Sequence, residues 1–118
     1  MENDRAIRTA TNKVNARIRA REDEMDTALA AIMDHAAGRA FINWLLGLGR
    51  LGHNPFTNQA LSTSFNCGEL NVAQRVLDRV LRVAPDKYTL MLREAENARS
   101  SDDSILAAAR DTPDNGDD

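Results

Sequence analysis

The sequence predicts an all-α protein, and three observations carry that prediction. Only three prolines and six glycines occur in 118 residues, so residues that break helices are scarce. No run alternates Val, Ile or Thr with polar residues, which is the pattern from which sheets are built. Apolar residues instead recur at helical spacing. We expect a compact body of three to four helices, preceded by a long, charged, amphipathic N-terminal helix.

Residues 1–32 are predicted to form that long helix, and it carries a narrow apolar stripe. We call this stripe the seam, and its members are Ile7, Val14, Ile18 and Met25. A stripe this narrow is typical of a coiled-coil contact, whereas a helix that closes a core shows a wider apolar arc. The seam is therefore expected to face a partner surface, either the body of the same chain or another subunit.

The same helix changes from basic to acidic along its length. Its first part has six basic side chains and no acid between them: Arg5, Arg8, Lys13, Arg17, Arg19 and Arg21. Such cations can contact phosphates without reading a base sequence, so a nucleic-acid-associated module is an alternative function. Against it, no aromatic residue lies among these cations to stack on bases.

Residues 33–98 are predicted to form the helical core domain. Asp34 is the expected N-cap of a second helix near residues 35–49, the most hydrophobic part of the chain. A loop follows, in which Phe56 is expected to anchor onto the core, and then a third helix over residues 60–83. Pro85 suits the first position of a fourth helix. The residues expected at the centre of the fold are Gly38, Arg39, Phe41, Trp44, Leu45, Phe65 and Gly68.

Gly68 falls inside the third helix, where glycine costs about 1 kcal/mol relative to alanine. We therefore expect a bulky neighbour close to it, with Trp44 or Phe41 as the candidate. Beyond Ser100 the helical pattern fades, and only residues 105–110 are expected to form a turn or two of helix. Residues 99–118 are predicted to be an acidic, mostly disordered tail, because residues 100–118 contain six aspartates and only one arginine.

Candidate catalytic and metal-binding residues lack the arrangement that their chemistry needs. His35, His53 and Cys67 do not have the short spacings of a zinc site, and no motif for an activated nucleophile accompanies them. We predict no enzymatic activity, no metal and no cofactor. The charged N-terminus does not resemble a signal peptide. The longest apolar stretch, residues 41–49, is too short to span a membrane, which takes about 20 residues.

One spaced pattern of residues resembles a known family. It runs through Asp34-His-Ala-Ala-Gly-Arg39, Phe41, Leu45-Leu46, Phe56, Thr63-Ser-Phe-Asn-Cys-Gly68, Asn71-Val-Ala73, Leu77, Leu81, Pro85, Tyr88, Met91 and Glu94. This order resembles a family of small tailed-bacteriophage proteins first named for a protein of a Bordetella podophage, over about residues 32–96. Family members often have a basic residue shortly after the second glycine, where this chain has Glu69 and Leu70.

The resemblance implies a context rather than a reaction. It suggests a virion or assembly component encoded among head and portal genes, with no enzymatic activity. The implied partners are portal, scaffold or capsid proteins, or a second copy of the chain. The implied location is the virion, or the host cytoplasm during assembly.

Overall fold

The computed structural model describes residues 2–112, and these form four α-helices without a strand. The helices are α1 (Glu2–Met33), α2 (Ala36–Leu48), α3 (Ala60–Val83) and α4 (Pro85–Asp111). The predicted all-α class and the long N-terminal helix are confirmed. Pro85 occupies the first turn of α4, as expected from its fixed backbone angle.

The turn between α1 and α2 differs from the prediction by one residue. The Asp34 N–H still bonds to the Ala30 carbonyl and so continues the hydrogen bonding of α1. His35 takes the N-cap position of α2 with an extended backbone, and no side chain caps the helix. The predicted N-cap role of Asp34 is therefore wrong.

The core lies where the four helices meet. α2 and α3 each contact the three other helices. The buried apolar residues are Leu29, Met33, Ile42, Leu46, Ala73, Val80 and Met91. Because Leu29 and Met33 belong to α1, the core includes the last turns of that helix. The boundary predicted at residue 32 therefore does not separate the long helix from the core domain.

Gly38 and Arg39 hold α1 and α2 together at their junction. A Cβ atom at Gly38 would lie 1.9 Å from the Ile32 carbonyl oxygen, so only glycine permits this close approach. The buried Arg39 donates to the Met33 carbonyl at 2.9 Å and, through Nε, to Glu94 Oε1 at 2.5 Å. A carbonyl at a helix C-terminus has no partner within its own helix and attracts positive charge. One guanidinium thus joins α1, α2 and α4.

Three aromatic residues expected in the core are instead on the surface. Phe41 is 55% exposed, Trp44 57% and Phe65 67%. Apolar residues surround much of α2, and the core takes Ile42 and Leu46 from the other side of the helix. Leu45 lies half-buried between the two sides.

Two further expectations about packing are wrong. A Cβ atom at Gly68 would meet nothing within 4 Å, so no bulky neighbour approaches this glycine. Phe56 is 72% exposed and does not anchor its loop. The buried Asn66 does so instead, since its side-chain amide donates to the Pro55 carbonyl at 3.2 Å.

The final helix is longer than the sequence pattern indicates. α4 continues to Asp111, so the predicted tail is helical between residues 99 and 111. This stretch has no glycine or proline and contains three consecutive alanines, which favour helix. The remainder of the predicted tail, residues 113–118, lies outside the described residues.

The molecule is elongated, with extents of 93 × 40 × 24 Å. Its radius of gyration is 22.9 Å, whereas a compact domain of this length has about 13–14 Å. The length comes from the two outer helices. Every residue from 2 to 25 of α1 is exposed, and so is every residue from 96 to 111 of α4.

Candidate functional site

The first part of α1 extends away from the body, and we call residues 2–21 the projecting segment. All of its side chains are exposed. The first described ion pair between α1 and another helix occurs at Glu22. At a rise of 1.5 Å per residue the projecting segment is about 30 Å long. It is therefore an accessible rod attached to a helical body.

An ion-pair network fixes the base of this rod to α3. Arg79 donates to Glu22 at 2.5 Å and to Asp26 at 2.7 Å, and Arg82 donates to Asp26 at 2.8 Å. The pKa of Arg79 is raised, first of all by its hydrogen bond to Glu22. Glu22 and Asp26 are four residues apart, which puts both carboxylates on the same side of α1.

The seam remains uncovered along its whole length. Ile7 is 63% exposed, Val14 54%, Ile18 48% and Met25 53%. Ile32 continues the stripe and is 40% exposed. The helix buries Leu29 and Met33 against its own body, and at 100° per residue Leu29 lies about 20° from Ile18, at the edge of the seam. Of the two partners left open by the sequence, the body of the same chain does not cover the seam.

The six cations of the projecting segment are exposed, and none forms an ion pair within residues 2–112. At 100° per residue they do not form one basic face. Arg8 and Arg19 lie on one side of the seam, and Arg17 and Arg21 lie on the other. Positive charge therefore flanks an apolar stripe on both sides.

A second exposed apolar surface lies on α2 and α3, and we call it the aromatic face. It contains Phe41, Trp44 and Leu48, each more than half exposed. The rings of Phe41 and Trp44 are 5.6 Å apart and tilted by 41°. Next to them a groove of about 270 Å³ separates α2 from α3 and is lined mostly by apolar side chains, among them Leu45, Val72 and Val76. Contiguous exposed apolar surface marks interaction sites in proteins.

A cavity of about 400 Å³ lies between α2 and α4. Arg39 and Glu94 line it, together with small side chains such as Ala40 and Ala95. The Arg39 guanidinium and the Glu94 carboxylate bond to each other there. Both groups therefore serve to join the helices.

The candidate metal ligands of the sequence are not brought together. Within residues 2–112 no group of three His, Cys, Asp or Glu side chains is placed to hold a metal ion. Cys67 is an exposed free thiol. None of the described helices combines the length and hydropathy that crossing a membrane needs.

No protein-family model, no curated protein and no solved structure matches this chain. The resemblance of residues 32–96 to the phage family stays a prediction.

Proposed function

We propose that the protein is a non-enzymatic structural or assembly component of a tailed bacteriophage, acting through protein–protein contacts in the head or portal region. The family resemblance supports the phage context. The exposed apolar surface supports contact with other proteins. The proposed partners are portal, scaffold or capsid proteins or a second copy of the chain, in the virion or in the host cytoplasm during assembly.

The observation that carries this proposal is the imbalance between surface and core. Among the described residues sixteen large hydrophobic side chains are exposed, whereas seven apolar residues form the buried core. Single exposed hydrophobic residues are ordinary. Here seven of the sixteen are grouped, four along the seam of α1 and three on the aromatic face. Large aromatic side chains such as Trp44 contribute strongly to interfaces because each buries about 150–250 Å².

The test uses purified portal, scaffold and capsid proteins of a phage that encodes the chain. Binding of the full chain is measured by co-elution and by surface plasmon resonance. We expect one of these proteins to bind, and Ile18→Asn or Trp44→Ala to weaken that binding about tenfold or more. Leu61→Asn is the matched control, because Leu61 is 87% exposed but belongs to neither surface.

Two results would contradict the proposal. The first is a chain that binds none of the three proteins and sediments as a monomer at every concentration. The second is binding that Leu61→Asn weakens as much as Ile18→Asn and Trp44→Ala do.

A second candidate function, nucleic-acid association, is favoured by one specific observation. The six cations of the projecting segment are all exposed on a rod that a duplex can reach, without ion pairs in the described part of the chain. It predicts binding to duplex DNA that weakens with salt, with a slope of about −0.9 for each phosphate contacted.

Fluorescence anisotropy with a labelled duplex checks this candidate. Arg17→Glu should weaken binding and reduce the salt slope by about 1, whereas Arg93→Glu on the exposed side of α4 should change neither. The absence of an anisotropy change at low salt would eliminate the candidate.

A further inference from the structure

We propose that the seam pairs with the seam of a second copy of the chain, with the two α1 helices antiparallel. This inference rests on the proposed function, because it names one partner of the same surface. Two observations support it: the heptad positions of the seam residues in α1 and the change from basic to acidic residues along the helix.

The seam residues occupy two positions of a heptad repeat. Ile7 and Val14 fall at d positions, and Ile18 and Met25 fall at a positions. Thr11 at an a position and Arg21 at a d position interrupt the repeat. A polar residue at such a position costs stability but specifies alignment and register.

An antiparallel alignment places each of these residues beside a suitable neighbour. With Val14 opposite Ile18 of the second copy, Ile7 comes opposite Met25 of the second copy. The same register places Thr11 opposite Arg21 of the second copy, so polar residues share one layer. By symmetry each of these pairs occurs twice.

Charge selects the same orientation. At the edge of the seam this register brings Arg8 beside Glu22 of the second copy, twice by symmetry. More broadly, the basic first part of each projecting segment runs along the acidic residues 22–26 of the other α1. The other edge has one unfavourable contact, between the two copies of Arg17.

A parallel pairing is disfavoured on both counts. It places Arg21 against Arg21 of the second copy inside the seam. It also aligns the six cations of one projecting segment with the same six of the other, and like charges along two adjacent helices repel.

The surface that this pairing needs is accessible. The seam continues past the point where α1 joins the body, because Met25 and Ile32 remain 53% and 40% exposed. The second copy therefore finds an open stripe beside the body, and the two bodies lie at opposite ends of the paired helices. Glu22 stays 54% exposed although it binds Arg79, so its carboxylate can accept a second arginine.

A charge-reversal mixture tests the pairing in the full chain. Arg8→Glu alone and Glu22→Arg alone each place like charges together twice, and each should raise the dimer dissociation constant by about tenfold. Mixing the two variants restores both opposite-charge pairs, so the mixture should form heterodimers with nearly wild-type affinity. Sedimentation velocity and native mass spectrometry measure these species.

Matched controls reverse the same charges off the seam. Arg19→Glu and Asp23→Arg lie on the outward side of α1 and should leave the dissociation constant within about twofold of wild type. The inference is overturned if the mixture associates no better than its components, or if the wild-type chain stays monomeric up to millimolar concentration.

Disulfide trapping then reports orientation, in chains that carry Cys67→Ser. A mixture of Ile7→Cys and Met25→Cys chains should give a crosslinked heterodimer, because an antiparallel pairing brings these positions within disulfide reach. Thr11→Cys should not crosslink to itself. The reverse result would show a parallel pairing and overturn the inference.

A chain that never self-associates but binds portal or capsid protein through the seam would refute this inference alone and leave the proposed function intact.

Discussion

In the body each helix packs an apolar side against a neighbour, whereas the projecting segment of α1 has no neighbour among the described residues. The body is held by a small core and by buried polar contacts such as that of Arg39 with Glu94. The projecting segment has only its own backbone hydrogen bonds. In proteins most helical stability comes from tertiary packing, which the projecting segment lacks among the described residues.

The comparison teaches that the buried core and the exposed apolar surfaces lie in different parts of this molecule. Residues that hold the fold are in the core where the four helices meet and at the junction of α1, α2 and α4. Residues with unsatisfied apolar surface are on the seam and on the aromatic face. Substitutions in the first set should therefore change unfolding, and substitutions in the second should change association.

The largest loss of stability is expected at Gly38. Gly38→Ala places a Cβ atom 1.9 Å from the Ile32 carbonyl oxygen, a backbone atom that cannot move without shifting α1. We expect a loss of about 3 kcal/mol in the free energy of unfolding, measured by urea denaturation followed by circular dichroism.

Gly47→Ala is the matched control on the same helix. Nothing lies within 4 Å of a Cβ atom at Gly47, so this change should raise stability by about 0.5–1 kcal/mol. Equal losses of stability in the two variants would show that the close contact at Gly38 does not determine the stability of the junction between α1 and α2.

A smaller loss is expected at the ion pair that joins α2 to α4. Glu94→Ala leaves the guanidinium of Arg39 buried with only the Met33 carbonyl as a partner. Because the Glu94 side chain is 36% exposed, we expect a loss of about 2 kcal/mol rather than the full cost of an unpaired buried charge.

Glu96→Ala removes a carboxylate that pairs only with Arg99 on the surface of the same helix. Its effect on thermal unfolding should be within about 0.5 kcal/mol of zero. If both glutamate variants unfolded like the wild type, the bond between Arg39 and Glu94 would not contribute to the fold.

Gly68→Ala should increase stability, in contrast to Gly38→Ala. The site is helical, exposed and open around a Cβ atom, so alanine should add about 0.5–1 kcal/mol through helix propensity. Differential scanning calorimetry measures the change in Tm. A fall in Tm would instead indicate that another group lies close to Gly68, as the sequence suggested.

The smallest effect on unfolding is expected on the seam. Ile18→Asn changes a side chain that is 48% exposed and contacts no part of the body core, so the free energy of unfolding of dilute protein should change by less than about 0.5 kcal/mol. The same variant should weaken association. A large loss of stability at low concentration would mean that the seam packs against other residues within the folded monomer.

The sequence predicts the helices well because their signals are local. Pro85 begins α4, and the third helix spans residues 60–83 as its pattern indicates. The spacing of the seam likewise predicts that its four residues share one side of α1, and all four are exposed in the structure. These features depend on residues near each other in the chain.

The misplaced residues depend on contacts between distant parts of the chain. Apolar residues surround α2, so periodicity does not tell which side faces the core, and Phe41 and Trp44 lie outside. Nor does spacing reveal that Asp26 meets Arg79 on α3. The positions at which the helices cross determine both the buried side of α2 and the contact between Asp26 and Arg79.

Hydrogen exchange at increasing protein concentration tests the central claim most directly. In dilute protein the amides of residues 4–20 should exchange quickly, while those of residues 39–46 and 73–82 in the body should be protected. As concentration rises, protection should appear in residues 4–20 and should be lost again in Ile18→Asn. Protection of residues 4–20 that is the same at every concentration would contradict the account.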